Sequence, residues 1–286
     1  MARPADTVDP YAVDISGLDS LDVPVHAAPS VAKQLWSSTW PILAAIALGL
    51  GAWQVIDWLN LKPDYALPGP SAVLSRIWED KADLVRDTAT TLRRAGIGYG
   101  LALLIGSLFG LLVSRFRVIR SAIGSMITGL QTMPTIAWFP LTILLLGANE
   151  TAILFVVVLG AAPSIANGLI SGVDHIPPIL LRAGRVLGAR GLRHYRHVIL
   201  PAALPGFVAG LKQGWAFAWR SLMAGELLVI LGNSLGAGLQ FARDLSDARG
   251  LISRMIVILV IGILVDSLGF ARAEEAIRNR WGLRTD

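Results

Sequence analysis

Apolar and polar positions fall in long blocks along this chain rather than alternating residue by residue. Six blocks approach the ~20 apolar residues that a helix needs to cross a hydrocarbon core of about 30 Å. The first covers about Trp36–Leu59 and is uncharged from Gln34 to Ile56. The second, about Ala95–Val113, is uncharged to Ser114, and the third lies within the uncharged stretch Ser121–Asn149. The fourth is about Thr151–Val173. The fifth, about Leu204–Leu231, is interrupted by Lys212, Arg220 and Glu226, and the sixth, about Leu251–Phe270, carries Arg254 and Asp266 near its ends. These blocks predict an all-α membrane protein with six transmembrane helices. The charges in the last two must face protein or a hydrated cavity.

Composition sharpens this picture. Of 286 residues, 54% are hydrophobic and 16% charged, with mean hydropathy +0.60; soluble domains average about 25% charged. The absence of cysteine removes disulfides, thiol catalysis and Cys-ligated metal. A net charge of +5 would suit nucleic acid, but in a membrane chain it reads as arginine in the cytoplasmic loops, so no nucleic-acid partner is expected. Residues 1–35 are polar, without a signal-peptide core, and read as a flexible cytoplasmic tail before a transmembrane domain at 36–286. Placing both termini in the cytoplasm puts 14 basic residues inside and 9 outside, although Arg93 and Arg94 run against that trend.

Two connecting segments carry structure of their own. After the turn-forming Leu67-Pro68-Gly69-Pro70, Ser71 is a candidate cap for an amphipathic surface helix bearing Val73, Leu74, Ile77 and Trp78. Segment 174–201 begins a short helix at Pro177-Pro178, and Gly188 is placed to end that helix or to permit close contact. A second short helix over Leu192–Val198 precedes Pro201, which opens the fifth span. The result is a helix-turn-helix against the membrane with five arginines and an apolar side of Ile179, Leu180, Val186 and Leu187.

The spacing Arg182-Ala183-Gly184, three residues, Gly188, nine residues, Val198, one residue, Leu200-Pro201 resembles the "EAA" loop of ABC importer permeases. Arg182 stands where that pattern usually has Glu, and Gly184 where it often has Ala. Further segments resemble the nitrate/sulfonate/taurine permeases, most of all those for aliphatic sulfonates: Gln131 to Pro140 with its Pro-x-x-Ala-Trp-x-Pro core, Leu67 to Val73, Trp219-Arg220 with Ala224 to Leu227, Leu235-Gly236-Ala237-Gly238, and Arg280-Trp281. The resemblance covers about residues 40–282. It implies a type I importer permease fold in a bacterial inner membrane. It implies a second copy of the chain completing the pore, two ATPase chains docking on the loop through Arg182, Ala183, Gly184, Gly188, Val198, Leu200 and Pro201, and an extracytoplasmic solute-binding protein. It implies a small oxyanion as cargo, aliphatic sulfonate or taurine first, nitrate or bicarbonate next.

Within the spans, Pro134 and Pro140 predict a bent third helix whose freed carbonyls line a cavity, with Gln131, Thr132 and Trp138 on its wall. Arg220 and Glu226, six residues apart, cannot pair on one helix face; both are candidates for the translocation path or for structural pairing. Lys212 is expected to snorkel to the interface, Asn167 to form an interhelical hydrogen bond, and Gly100, Gly106 and Gly110 to allow close helix packing. The chain has no G-x-x-x-x-G-K-[ST] phosphate loop, so ATP hydrolysis is assigned to separate chains and no cofactor or metal to this one. An ion-coupled secondary transporter would call for an inverted repeat and coupling carboxylates, and only Glu226 is a deep carboxylate. An intramembrane enzyme would call for His, Ser or paired Asp at membrane depth; three of the four histidines lie in the 174–200 loop and the fourth in the tail.

Overall fold

A computed structural model of the chain describes residues 31–59, 63, 65–115 and 117–280. The expected tail lies almost wholly outside these residues, as does Trp281. Residues to Val55 and from Ile56 onward form two separate units. The first is essentially α1 (Val31–Trp58), whose apolar side chains, Trp36, Trp40, Leu43 and Ile46 among them, are exposed along its length.

The described residues of the second unit form helices joined by turns and short loops. It comprises α2 (Pro70–Glu79), α3 (Lys81–Arg115), α4 (Arg117–Thr132), a 3₁₀ turn (Thr135–Trp138), α5 (Phe139–Leu146) and α6 (Glu150–Asp174). Then come α7 (Pro178–Val186), the single turn α8 (Leu192–His194), a π turn (Tyr195–Ile199), α9 (Leu200–Leu228), α10 (Leu235–Asp244), α11 (Ala248–Val265), a second π turn (Asp266–Phe270) and α12 (Ala271–Arg280).

Each predicted span corresponds to a helix or a broken helix. Among the described residues, four stretches are long and apolar enough to cross a bilayer: Thr39–Trp58, Lys81–Ser114, α6 and Ala248–Ile277. The third predicted span is not one helix. Met133-Pro134 ends α4, the chain makes a 3₁₀ turn, and Pro140 sits harmlessly in the first turn of α5. The fifth, α9, has 29 residues, long enough to cross, but is diluted by its three charges.

The core is built around α6, where 61% of the apolar window is buried against 28% in α3. Ile153, Val157 and Ile165 of α6 pack with Phe139 of α5, Ala102 of α3 and Leu222 of α9. Small residues set the helix separation. A Cβ added at Gly168 would fall 2.4 Å from the Gly210 Cα, and one at Gly206 would fall 2.5 Å from the Gly172 Cα, so α6 and α9 touch backbone to backbone. Gly106 and Gly110 meet α6 in the same way, whereas Gly100 has open space beside it and Gly98, against Val157, takes the packing role expected of it. Outward, α3 exposes Leu104 and Leu108, and α11 exposes Leu259 and Ile263. A continuous apolar exterior of this kind suits lipid rather than water.

At one end of the bundle, α2 starts at Pro70 with Gly69 as its cap; Ser71 makes no cap hydrogen bond. Val73 points inward and is fully buried, while Leu74 and Trp78 face out.

Candidate functional site

At the opposite end of the bundle from α2, segment 174–201 forms a hairpin. Its first limb is α7, opened by Pro178 and closed at Leu187. Gly188 follows with φ +82°, a left-handed conformation that costs other L-residues about 1–2 kcal/mol. An added Cβ there would meet nothing, so its backbone angle, not close contact, is what requires glycine. Gly191 (φ +54°) completes the reversal. The close contact belongs to Gly184, where a Cβ would lie 2.7 Å from Val198 Cγ2. Two residues of the spaced pattern therefore clamp the two limbs together. The second limb is not a separate helix. Leu192 leads through the π turn into α9 without leaving helical backbone angles, so Pro201 lies within a continuous rod. Val186, Leu187 and Leu192 at the hairpin's closed end are 86%, 86% and 82% exposed. Arg182 and Ala183 are exposed beside them.

A second feature is the exposed face of α9. Ala209, Gln213, Ala216 and Arg220 recur at helical spacing, each exposed or half-buried. Arg220 makes no ion pair among the described residues. The face of α9 packed on α6, bearing Gly206 and Gly210, lies about a quarter-turn further round the helix. Near it stands the break in the third span. Thr135 at the start of the 3₁₀ turn accepts a 2.9 Å hydrogen bond from Ser221 of α9, and Gln131 of α4 donates one of 2.9 Å to Ser164 of α6. Thr132 is exposed but bonds back to its own Gly129 carbonyl. Pro134 is exposed, and Trp138 is half-buried against the core. The polar bridge expected from Asn167 is made instead by Ser164; Asn167 itself is exposed.

Glu226 does not share the face of Arg220. It is fully buried and held by donors from two other helices. Arg94 of α3 donates to it at 3.0 Å, Thr91 at 2.9 Å, and the Gly236 amide of α10 at 3.1 Å. Arg94 also donates to the Leu231 carbonyl at 2.9 Å, and the Leu235 amide donates to Thr91 Oγ1 at 3.0 Å. A Cβ at Gly236 would strike Glu226 Cβ at 2.4 Å, which explains a glycine at the start of α10. Of the two readings kept open for Glu226, these hydrogen bonds are those of structural pairing. Its carboxylate is saturated by donors and ties α3, α9, α10 and the loop between α9 and α10 together. Arg94 was the residue that sequence reasoning passed over, although an arginine directly before an apolar span is a natural partner for a lone deep carboxylate. Arg93 and Arg94 depart from the charge bias for the same reason, with Arg93 bound to Glu150 at 2.7 Å. Lys212 does not snorkel free but pairs with Asp266 at 3.5 Å, so the charges of the fifth and sixth spans partly neutralise each other.

These features define a multi-span helical membrane subunit with a projecting basic hairpin. Over residues 102–271 the chain matches the family described as "Binding-protein-dependent transport system inner membrane component". The chain belongs to this family, the membrane-spanning permease subunits of ABC importers. A probable ABC transporter permease protein of Brucella melitensis is 30% identical across 79% of this chain and 91% of its own length. The taurine transport system permease protein of Escherichia coli is 26% identical across 79% and 87%, and a nitrate import permease protein of Synechocystis is 26% identical across 78% and 83%. Among solved structures, the MetNI methionine ABC transporter in inward-facing form shares the fold, with TM-score 0.59 and 22% identity over 70% of this chain and 98% of that one.

Proposed function

We propose that this chain forms the translocation pathway of an ATP-driven importer for a small oxyanion, an aliphatic sulfonate or taurine. In this reading two copies make the pore, and two ATP-binding subunits dock on the hairpins through Arg182, Ala183, Gly184, Gly188, Val198, Leu200 and Pro201. An extracytoplasmic solute-binding protein delivers cargo at the end bearing α2. Both termini and the hairpin lie in the cytoplasm, and ATP is bound by the partner chains. Arg220 carries the reading. It is a cation eight residues from the C-terminal end of a long helix, on an exposed face it shares with Gln213, with no counter-charge among the described residues. Within a span such a charge costs about 2.5–3.5 kcal/mol at the centre and less towards the ends, which a hydrated path and a passing anion would offset. The relative named for taurine transport supports a sulfonate cargo. The relative named for nitrate import supports the second reading, a nitrate or bicarbonate carrier with the same architecture.

The test is uptake into proteoliposomes holding the assembled complex, comparing labelled taurine, an alkanesulfonate, nitrate and bicarbonate. ATP-dependent accumulation of a sulfonate, lost in Arg220→Gln at equal complex yield, supports the proposal. Accumulation of nitrate or bicarbonate alone moves the cargo to the second reading. Undiminished uptake by Arg220→Gln removes Arg220 from the path.

A further inference from the structure

We infer that the ATPase surface receiving the hairpin is an apolar cleft with a rim of carboxylates, so that the two chains recognise one another by opposite charge. This rests on the docking reading above and adds the chemistry of the partner's surface. Between His175 and Pro201 there is no Asp or Glu and there are five arginines, Arg182, Arg185, Arg190, Arg193 and Arg196. All five are exposed. None forms an ion pair among the described residues, and the acid that borders the segment, Asp174, is already taken by Arg120. The arginines come from both limbs and flank an apolar tip of Val186, Leu187 and Leu192.

A partner that covers this tip must also strip water from guanidinium groups beside it. Desolvated charge is tolerated only when it is paired, and arginine's planar fork pairs best with carboxylates. A neutral or basic rim would leave several guanidinium groups uncompensated at the contact. The reversal at Arg182, where the resembled pattern carries Glu, points the same way. A partner matched to Glu would repel this hairpin, so the pairing also discriminates against the ATPases of other importers. Anionic lipid headgroups are the competing acceptor. Ile179, Leu180, Val186 and Leu187 do form an exposed stripe along α7 that a membrane surface would accept, but the exposed Leu192 stands on the other limb, outside that stripe, where a cleft closing over the tip would cover it too.

The chain has no cysteine, so Ala183→Cys, beside Arg182, puts a single thiol on it, which is loaded with the linker before the ATP-binding subunit that co-purifies with the wild type is added. Thiol-to-carboxyl and thiol-to-amine linkers of equal length are compared. Capture of the ATPase through Asp or Glu, several-fold above capture through Lys, is expected. In parallel, Arg182→Glu with Arg185→Glu should lower co-purified ATPase about tenfold, equivalent to roughly 1.4 kcal/mol. Changing the captured carboxylate to Lys should restore it. Capture by the amine linker alone leaves docking intact and overturns the acidic rim. Capture by neither overturns docking as well. Unchanged ATPase yield with loss of bound phosphatidylglycerol in native mass spectrometry overturns the proposal in favour of the membrane surface.

Discussion

Replacing Gly168 with alanine probes the packing that organises the bundle. The new methyl would sit 2.4 Å from the Gly210 Cα, 2.9 Å from its nitrogen and 3.0 Å from the Gly206 carbonyl oxygen. Carbon atoms prefer roughly 3.5–4.0 Å, so α6 and α9 must part by roughly 1 Å or more at this level. All the near atoms are backbone, so no side chain can swing away. Parting the helices also opens gaps at Gly172–Gly206, and a gap of roughly 0.5–1 Å forfeits a quarter to a half of each contact's attraction. Overpacking of this kind costs about 1–3 kcal/mol, against which alanine recovers up to about 1 kcal/mol of helix propensity. Gly100→Ala is the control, since open space surrounds that position and only the propensity gain remains. Thermal unfolding in detergent, followed by tryptophan fluorescence, should place Gly168→Ala several degrees below wild type, at about 2–4 °C per kcal/mol, and Gly100→Ala at or above it. Equal melting of the two variants would refute the backbone-contact argument.

Glu226→Gln should strand the buried Arg94 and cost about 3–5 kcal/mol, seen as a loss of folded protein after extraction; Arg94→Met with Glu226→Gln should recover much of it, and a double variant no better than the single one would show that the pair is not the cause. Gly188→Asp should strain the hairpin by about 1–2 kcal/mol while the chain still inserts, and substrate-stimulated ATP hydrolysis at the wild-type rate would count against the turn's importance. Lys212→Gln breaks a half-exposed pair and should shift melting by no more than the equivalent of about 1 kcal/mol; a larger shift in the same fluorescence assay would mean that the pair is shielded from water in the detergent-solubilised protein.

Much of the architecture was readable because lipid imposes it. Uncharged blocks of spanning length marked the helices, and prolines and glycines marked the hairpin, since each acts on the chain locally. What stayed hidden depends on distance. Glu226 announces a buried charge, but its partner Arg94 is 132 positions away in sequence, and no local pattern joins them. Pro134 signals a bend, yet the side chains around it find their partners at a distance in sequence, Gln131 on Ser164 and Thr135 on Ser221, and these meet only in the folded bundle. Gly184 looked like a departure from a familiar pattern; contact with Val198 gives it a steric reason. Asn167 and Ser164 lie on one helix three residues apart, and only packing decides which one reaches α4.

The unbroken helical path from Leu192 to Leu228 makes the hairpin's second limb and the Arg220 face parts of one stiff rod, about 55 Å long at 1.5 Å per residue. Its tightest support, against Gly168, lies at Gly210, about 27 Å from Leu192 and about 15 Å from Arg220. A pivot at that contact would turn a sideways displacement at one end into an opposite displacement at the other, scaled by the two arms, and the further supports at Gly206 and Glu226 limit how far it can go. Tilting about Gly210 by about 5° would carry the hairpin end roughly 2.4 Å one way and Arg220 roughly 1.3 Å the other. A tilt about the glycine contact would therefore be geared at nearly two to one between the hairpin end and Arg220.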